Sequence, residues 1–209
     1  MVFLLNKHLI IILMRVWYNE DNDDKEGEFM RIFETMTYKV VSKEGPIELR
    51  WYPQFFLAST KTPLNRSYDS GFNNVFRYIS GGNETQTHVS MTTPVVSYEE
   101  DQQLVTGFYV PSRYDKSAIP KPTGDSVFIQ EYPPSLIAVI RFRGRWETSN
   151  FDQHDLLLKA YLVAHQLKPL SQRLLMRYQP PFIPPFLRRN ELAYRIDSSN
   201  FNVSNLWFY

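Results

Sequence analysis

Four histidines and the absence of cysteine limit the chemistry that this 209-residue chain can perform. Without cysteine there are no disulfides, zinc-thiolate sites or cysteine nucleophiles. His154 and His165 lie eleven residues apart on a predicted helix, which is about 16 Å along its axis and too far for one metal ion. His8 lies outside the predicted domain. His88, which opens a predicted strand, is the remaining histidine ligand candidate, with a surface residue as the alternative.

No combination of nucleophile, base and acid stands out in the sequence. His88 and Ser90 would share one face of a strand, but no acidic residue accompanies them. The carboxylates are scattered without metal-ligand spacing. With 23 basic against 22 acidic residues, the net charge of +1 argues against a nucleic-acid-binding protein. We therefore expect a binding protein that is not an enzyme.

Two segments flank the predicted domain. Residues 1–35 combine the apolar stretch FLLNKHLIIILM with an acidic linker, and the uninterrupted apolar run within it is too short to span a bilayer. Residues 198–209 end in the aromatic sequence LWFY. We predict a folded domain over residues 36–197 of a cytoplasmic protein. A weak secretory signal, or contact of the N-terminus with a membrane surface, is the alternative.

The first half of the domain reads as strands around one short helix. Alternating apolar residues predict strands on both sides of the turn KEGP, and they are Tyr38, Val40, Ile47, Leu49 and Trp51. Phe72, Val75, Phe76 and Ile79 then follow helical spacing, and Gly81-Gly82 ends the predicted helix. The stretches THVSMTTPVVSYEE and QLVTGFYVPS again predict strands.

The second half repeats this pattern. The stretch VFIQEYPPSLIAVIRFRG predicts two strands, and FDQHDLLLKAYLVAHQL predicts a longer helix. The apolar face expected for that helix consists of Leu157, Tyr161, Ala164 and Leu167. QRLLMRYQPP and NELAYRI predict the closing strands.

A tandem repeat follows from comparing the halves. Tyr52-Pro53 and Tyr132-Pro133 each precede an alanine by five residues, at Ala58 and Ala138. We predict an α+β fold of duplicated β-β-α-β-β units with pseudo-twofold symmetry. Its antiparallel sheet would be curved or form a distorted barrel, flanked by two helices.

The ordered motifs of residues 36–196 resemble the SOUL haem-binding protein family. They include GFNNVFRYISGGN, SMTTPV, GFYVPSRY and RYQPPFIPPFLRRNEL. The resemblance implies a distorted β-barrel of two similar halves flanked by two helices. It also implies non-covalent binding of haem or related tetrapyrroles, without established catalysis.

The resemblance places the haem groove along the first helix. The expected contacts are Phe72, Val75, Phe76, Arg77, Ile79 and Met91. The aromatic and aliphatic residues would form an apolar wall, or else pack on the sheet. Arg77 would pair with a propionate, with a solvated arginine as the alternative. Met91 would contact the porphyrin edge or the iron, or belong to the core.

The iron ligand stays open at this point. His88 and the phenolate of Tyr178 are the candidates. Some family members carry a histidine where this chain has Trp51, so histidine ligation is excluded there. Trp51 would stack on the porphyrin or belong to the core.

The proline-rich stretch RYQPPFIPPFLRRNEL lies between two predicted strands, so we interpret it as a stiff loop and not as a free proline-rich ligand. Phe182, Ile183 and Phe186 would cover the core. Two other functions stay open: an effector-binding or protein-interaction module of the same fold, and an accessory enzyme of tetrapyrrole or bilin metabolism.

Overall fold

The computed structural model describes residues 33–64, 71–199 and 201. The apolar N-terminal stretch, His8 and the aromatic tail lie outside these residues. The chain divides into two compact units, Met1–Glu34 and Thr35–Tyr209, and the description below concerns the second. None of the helices described is long and apolar enough to cross a membrane.

The strands are β1 (Glu34–Thr35), β2 (Lys39–Glu44), β3 (Ile47–Tyr52), β4 (Phe55–Pro63), β5 (Thr92–Thr93), β6 (Val95–Glu100), β7 (Gln103–Tyr109), β8 (Phe128–Tyr132), β9 (Ser135–Arg143), β10 (Leu174–Arg177) and β11 (Arg189–Arg195). Nine of these strands form one antiparallel sheet in the order β2-β3-β9-β11-β10-β6-β7-β4-β8. A separate pair joins β1 to β5, where the hydroxyls of Thr35 and Thr93 lie 3.0 Å apart.

Helices α1 (Phe72–Ile79) and α2 (Thr148–Ala164) pack on the same face of this sheet. Val95 lies in the core cluster under α1, and Leu175 lies in the cluster under α2. Val95 pairs with Arg177 in the ladder, two residues from Leu175, so both apolar side chains point to one side. We call this side the helix face.

The opposite face is also largely buried, because the sheet curls around it. Tyr132 of β8 donates a hydrogen bond to the hydroxyl of Tyr98 at 3.3 Å, although two strands separate β8 from β6 in the sheet. The outer strands β2 and β8 do not pair with each other among the described residues, so the sheet is not closed into a barrel. The α+β prediction is confirmed with a large, open antiparallel sheet.

Both Tyr-Pro sequences mark kinks between strands that continue one another. Tyr52 pairs with Ser135 in the β3–β9 ladder, and Phe55 pairs with Tyr132 in the β4–β8 ladder. The two ladders therefore keep one register across both kinks. Apart from β2, which has no counterpart, the strand order is symmetric about the β6–β10 pair, as a duplication would produce, while the duplication itself stays a prediction.

Three predicted core positions, Leu157, Ala164 and Val40, are exposed in the structure. The buried face of α2 is Phe151, Asp155, Leu158 and Leu162, whereas Leu157 is 52% exposed. Val40 is also exposed, because it lies on the edge strand β2.

The proline-rich loop is held firmly, but its phenylalanines do not cover the core. The Arg188 side chain donates hydrogen bonds to the carbonyl oxygens of Ile183 and Pro181, and one 3₁₀ turn, Pro185–Leu187, follows. Phe182 and Phe186 are exposed, whereas Leu187 is buried. Leu187 takes the position that the sequence suggested for the phenylalanines.

Candidate functional site

Helix α1 presents two kinds of apolar side chain. Val75 and Ile79 are buried against strand residues that include Ala58 and Phe108. Phe72 and Phe76 are only half-buried at the edge of this cluster. Their rings stack with centroids 5.8 Å apart and an angle of 12° between the planes. The helix therefore leaves a flat aromatic surface beside a firm core.

The Gly-Gly-Asn motif after α1 builds a tight turn. Gly81 has a φ of +98°, which favours glycine. A Cβ on Gly82 would lie 2.7 Å from the carbonyl oxygen of Arg77, so a larger residue does not fit. The buried Asn83 amide donates to the carbonyl oxygens of Tyr78 and Thr87 at 3.0 and 2.7 Å. This turn closes the helix and sends the chain back along it.

The returning chain brings His88 and Met91 to the helix. His88 is exposed and forms an isolated antiparallel bridge with Ser80. Met91 is half-buried against the cluster that also supports Phe76. Arg77 is exposed, and no hydrogen bond or ion pair holds its side chain within the described part of the chain. The structure thus places the residues predicted to contact haem together around α1, with Val75 and Ile79 buried beneath the others.

Two further residues border this region without having been predicted. Tyr114 is half-buried against the same cluster, and the Arg113 guanidinium lies 5.0 Å from the centre of its ring. Arg113 also donates a hydrogen bond to the Ser90 hydroxyl at 3.0 Å. Both residues belong to the GFYVPSRY motif, so this motif could have drawn attention to them.

Tyr78 is the buried polar residue of α1. Its hydroxyl donates to the Pro120 carbonyl oxygen at 2.7 Å. Burial, with a smaller contribution from Tyr114, raises the pKa of Tyr78 to about 12. The phenol therefore stays neutral at physiological pH and anchors the helix to the 111–127 connection.

Tyr178 lies elsewhere, on the opposite face of the sheet. It donates a hydrogen bond to Glu191 at 2.8 Å, and the Arg189 guanidinium stacks 3.9 Å from its ring centre. Burial raises the pKa of Tyr178 well above its usual value, and the negative charge of Glu191 raises it further. Its hydroxyl thus has a structural partner, and it is not brought together with the residues around α1.

Glu191 is the centre of a buried ion cluster. Arg50 donates to both of its carboxylate oxygens at 2.8 and 2.9 Å, and Arg189 donates to one of them at 2.7 Å. Glu48 accepts a further hydrogen bond from Arg50 at 2.8 Å. The two arginines and two glutamates balance in charge, which fits a structural role.

Trp51 and the helical histidines belong to other packing sites. Trp51 is buried in the cluster under α2, which favours the core over porphyrin stacking. His154 stacks on Phe142 with ring centres 4.0 Å apart, and His165 stacks on Tyr161. Among the described residues, no three side chains of histidine, aspartate or glutamate are grouped as a metal site.

Comparison with solved structures supports the fold. The C-terminal domain of EcmrR superposes with a TM-score of 0.54, covering 78% of this chain and 99% of that domain at 10% identity. At this identity the likeness concerns the fold alone.

Comparison with other sequences identifies the family. Heme-binding protein 2 of Mus musculus is 25% identical over 173 residues, covering 77% of this chain and 82% of that relative. Heme-binding protein 2 of Homo sapiens is 27% identical over 154 residues, covering 67% of this chain and 74% of that relative. The model of the SOUL heme-binding protein family matches residues 33–195. The chain therefore belongs to the SOUL heme-binding protein family.

Proposed function

We propose that this protein binds haem or a related tetrapyrrole non-covalently in the groove beside α1, as a carrier, buffer or sensor and not as an enzyme. The observation that carries this proposal is the stacked pair Phe72 and Phe76, which leaves flat aromatic surface half exposed next to the exposed cation of Arg77. A porphyrin has a flat apolar ring and two carboxylates. The family and the names of the two relatives support this ligand class.

The residues around the groove fit such a ligand. Phe72, Phe76 and Met91 offer apolar contacts, and Arg77 and Arg113 offer positive charge for propionates. The buried Val75 and Ile79 support the helix from below and fix the position of the two phenylalanine rings. His88 is the candidate axial ligand for the haem iron, because its bridge with Ser80 holds it at the end of α1. Haem would supply its iron, and the residues named here would bind and orient the macrocycle.

Micromolar affinity does not require an axial bond. Covering about 400 Å² of porphyrin at about 25 cal/mol/Å² gives on the order of 10 kcal/mol. Association and ordering take back several kcal/mol, whereas micromolar binding requires about 8 kcal/mol. The apolar wall and the propionate contacts together are of the right size.

The test is a titration of the full chain with ferric haem and with metal-free protoporphyrin, followed by the Soret band. Arg77→Glu and Phe76→Ala should each lower the affinity for both ligands about 10-fold or more. Arg145→Glu is the matched control, because Arg145 is an exposed arginine beside α2. Equal affinities of wild type for both ligands would indicate recognition of the macrocycle alone.

An iron ligand would give a different pattern. Haem would then bind more tightly than protoporphyrin, and His88→Ala would shift the Soret band and remove the difference. The absence of saturable binding for both ligands would refute the proposal. Unchanged binding by both α1 variants would refute the location.

A further inference from the structure

A separate cavity of about 220 Å³ lies on the opposite face of the sheet. Its lining includes Leu57, Val96, Gln130, Ile137 and Met176. Along their strands, neighbours such as Ala58, Val95 and Ala138 belong to the core clusters of the helix face. Because successive strand residues alternate in direction, the cavity and the helices are on different sides of the sheet. This cavity is thus not the groove beside α1.

The walls of the cavity suit one small aromatic ring system. Phe55 and Tyr132 stack with centroids 4.9 Å apart and nearly parallel planes. Methionine side chains, from Met36 and Met176, also line the cavity. Methionine sulfur contacts aromatic rings favourably, and the volume accommodates about ten non-hydrogen atoms, well below the size of a tetrapyrrole.

Polar side chains at the cavity form a chain of hydrogen bonds that runs from Tyr132 through Tyr98 to Gln130. Tyr132 donates to the hydroxyl of Tyr98 at 3.3 Å, and Tyr98 donates to the side-chain oxygen of Gln130 at 2.9 Å. Within the residues that the structure describes, the amide nitrogen of Gln130 donates to no acceptor, so both of its hydrogens are available. The Nε of Arg195 is buried and donates to no acceptor in the part of the chain that the structure describes.

Among the described residues, the charges at the cavity leave Arg195 without an ion-pair partner. Glu100 forms an ion pair with Lys61 at 2.9 Å, and Glu131 pairs with Lys116. Arg195 has no such partner among the described residues, although Glu191 lies four residues earlier on the same strand face. That glutamate is already shared by two other arginines. A buried donor without an acceptor is costly, and an anion would satisfy it.

We propose that this cavity binds a small aromatic carboxylate. The ring lies against the Phe55–Tyr132 pair and the methionines, and the carboxylate accepts hydrogen bonds from Arg195 and the Gln130 amide. This ligand is much smaller than a tetrapyrrole, and its site is independent of the groove beside α1.

Three probes of one shape test the proposal on the full chain by fluorine NMR titration. We expect 4-fluorobenzoate to bind saturably with a Kd of about 1 mM or tighter. The neutral 4-fluorobenzyl alcohol should bind about 10-fold more weakly, because it lacks the charge-assisted hydrogen bonds. The cationic 4-fluorobenzylamine should not saturate.

Variants then assign the binding to Arg195. Arg195→Met should lower the affinity for 4-fluorobenzoate about 10-fold and leave the affinity for the alcohol unchanged. Arg195→Lys should keep the preference for the anion. Arg145→Met is the matched control. Equal binding of the three probes, a preference for the amine, or no saturable binding would overturn the proposal.

The outcome is separable from that of tetrapyrrole binding. Arg195→Met should leave the haem titration unchanged, and Arg77→Glu should leave the fluorobenzoate titration unchanged. If either variant lost the binding of both haem and 4-fluorobenzoate, the two ligands would share one site. That result would also overturn the proposal.

Discussion

Replacing Glu191 by glutamine tests how strongly the buried ion cluster holds the sheet together. Glu191 is fully buried and accepts hydrogen bonds from Arg50, Arg189 and Tyr178. Glutamine keeps the shape of the side chain but removes its negative charge. Two buried guanidinium groups then remain, and Glu48 is the only carboxylate of the cluster left to balance them, while it also pairs with a lysine.

The expected loss of stability is large. Removing one partner of a buried ion pair costs about 3–5 kcal/mol. At about 2–4 °C per kcal/mol for a domain of this size, the melting temperature should fall by about 10 °C. Glu131→Gln is the matched control, because it breaks the exposed pair with Lys116 and should cost less than about 1 kcal/mol. Urea and thermal unfolding of the full chain, followed by circular dichroism, measure both changes.

The same variant should change the acid sensitivity of the protein. Burial raises the pKa of Glu191, but the charges and hydrogen bonds of Arg189 and Arg50 together lower it more, so the net pKa lies below the usual 4.5. A carboxyl with a lowered folded-state pKa contributes stability above its unfolded-state pKa, and this is lost as the pH falls through the folded value. Wild type should therefore lose stability on acidification below about pH 4.5, and Glu191→Gln should lose less. If the two glutamine variants melt alike, with equal acid sensitivity, the reasoning is wrong.

Three smaller predictions concern the helices, each measured by urea unfolding. Gly82→Ala should cost about 1–3 kcal/mol, because its Cβ would lie 2.7 Å from a carbonyl oxygen at the end of α1; an unchanged midpoint would contradict the tight turn. Leu158→Ala should cost about 2–5 kcal/mol because Leu158 is fully buried, whereas Leu157→Ala should cost less than about 0.5 kcal/mol. A larger cost for Leu157→Ala than for Leu158→Ala would instead support the face of α2 that the sequence predicted. Asp155→Ala should cost about 1–3 kcal/mol, because it leaves the buried hydroxyl of Tyr194 without its acceptor at 2.7 Å; a neutral effect would show that water replaces it.

The sequence predicts helix α1 well and the orientation of α2 poorly, for a physical reason. The apolar spacing of α1 is interrupted by no charged residue on its buried side. The buried side of α2 includes Asp155, which is satisfied by Tyr194 and Lys159. Three consecutive leucines, 156–158, then offer three possible faces. The hydrogen bond between Tyr194 and Asp155 lies on the buried face, and the apolar pattern of the sequence does not indicate it.

Strand positions could be predicted, but their partners could not. The pairing of β3 with β9 and of β4 with β8 joins segments about 80 residues apart. The repeated Tyr-Pro sequence indicated that the two segments are similar, without indicating that they pair. The half-exposure of Phe72 and Phe76 was equally hidden, because helical spacing assigns four residues to one face without distinguishing its centre from its edge.

Glu191, at the charged end of the proline-rich motif, helps to fix the strand register through its ion pair on the opposite face of the sheet. Arg50 on β3 and Glu191 on β11 contact each other across β9, since β9 lies between these strands. A register slip of one residue in β3 would turn Arg50 to the helix face, among the apolar residues under α2 and away from its carboxylate. The buried pair thus favours the one register in which the two Tyr-Pro kinks oppose each other. That register also sets Phe55 against Tyr132 and so forms the wall of the cavity around Arg195.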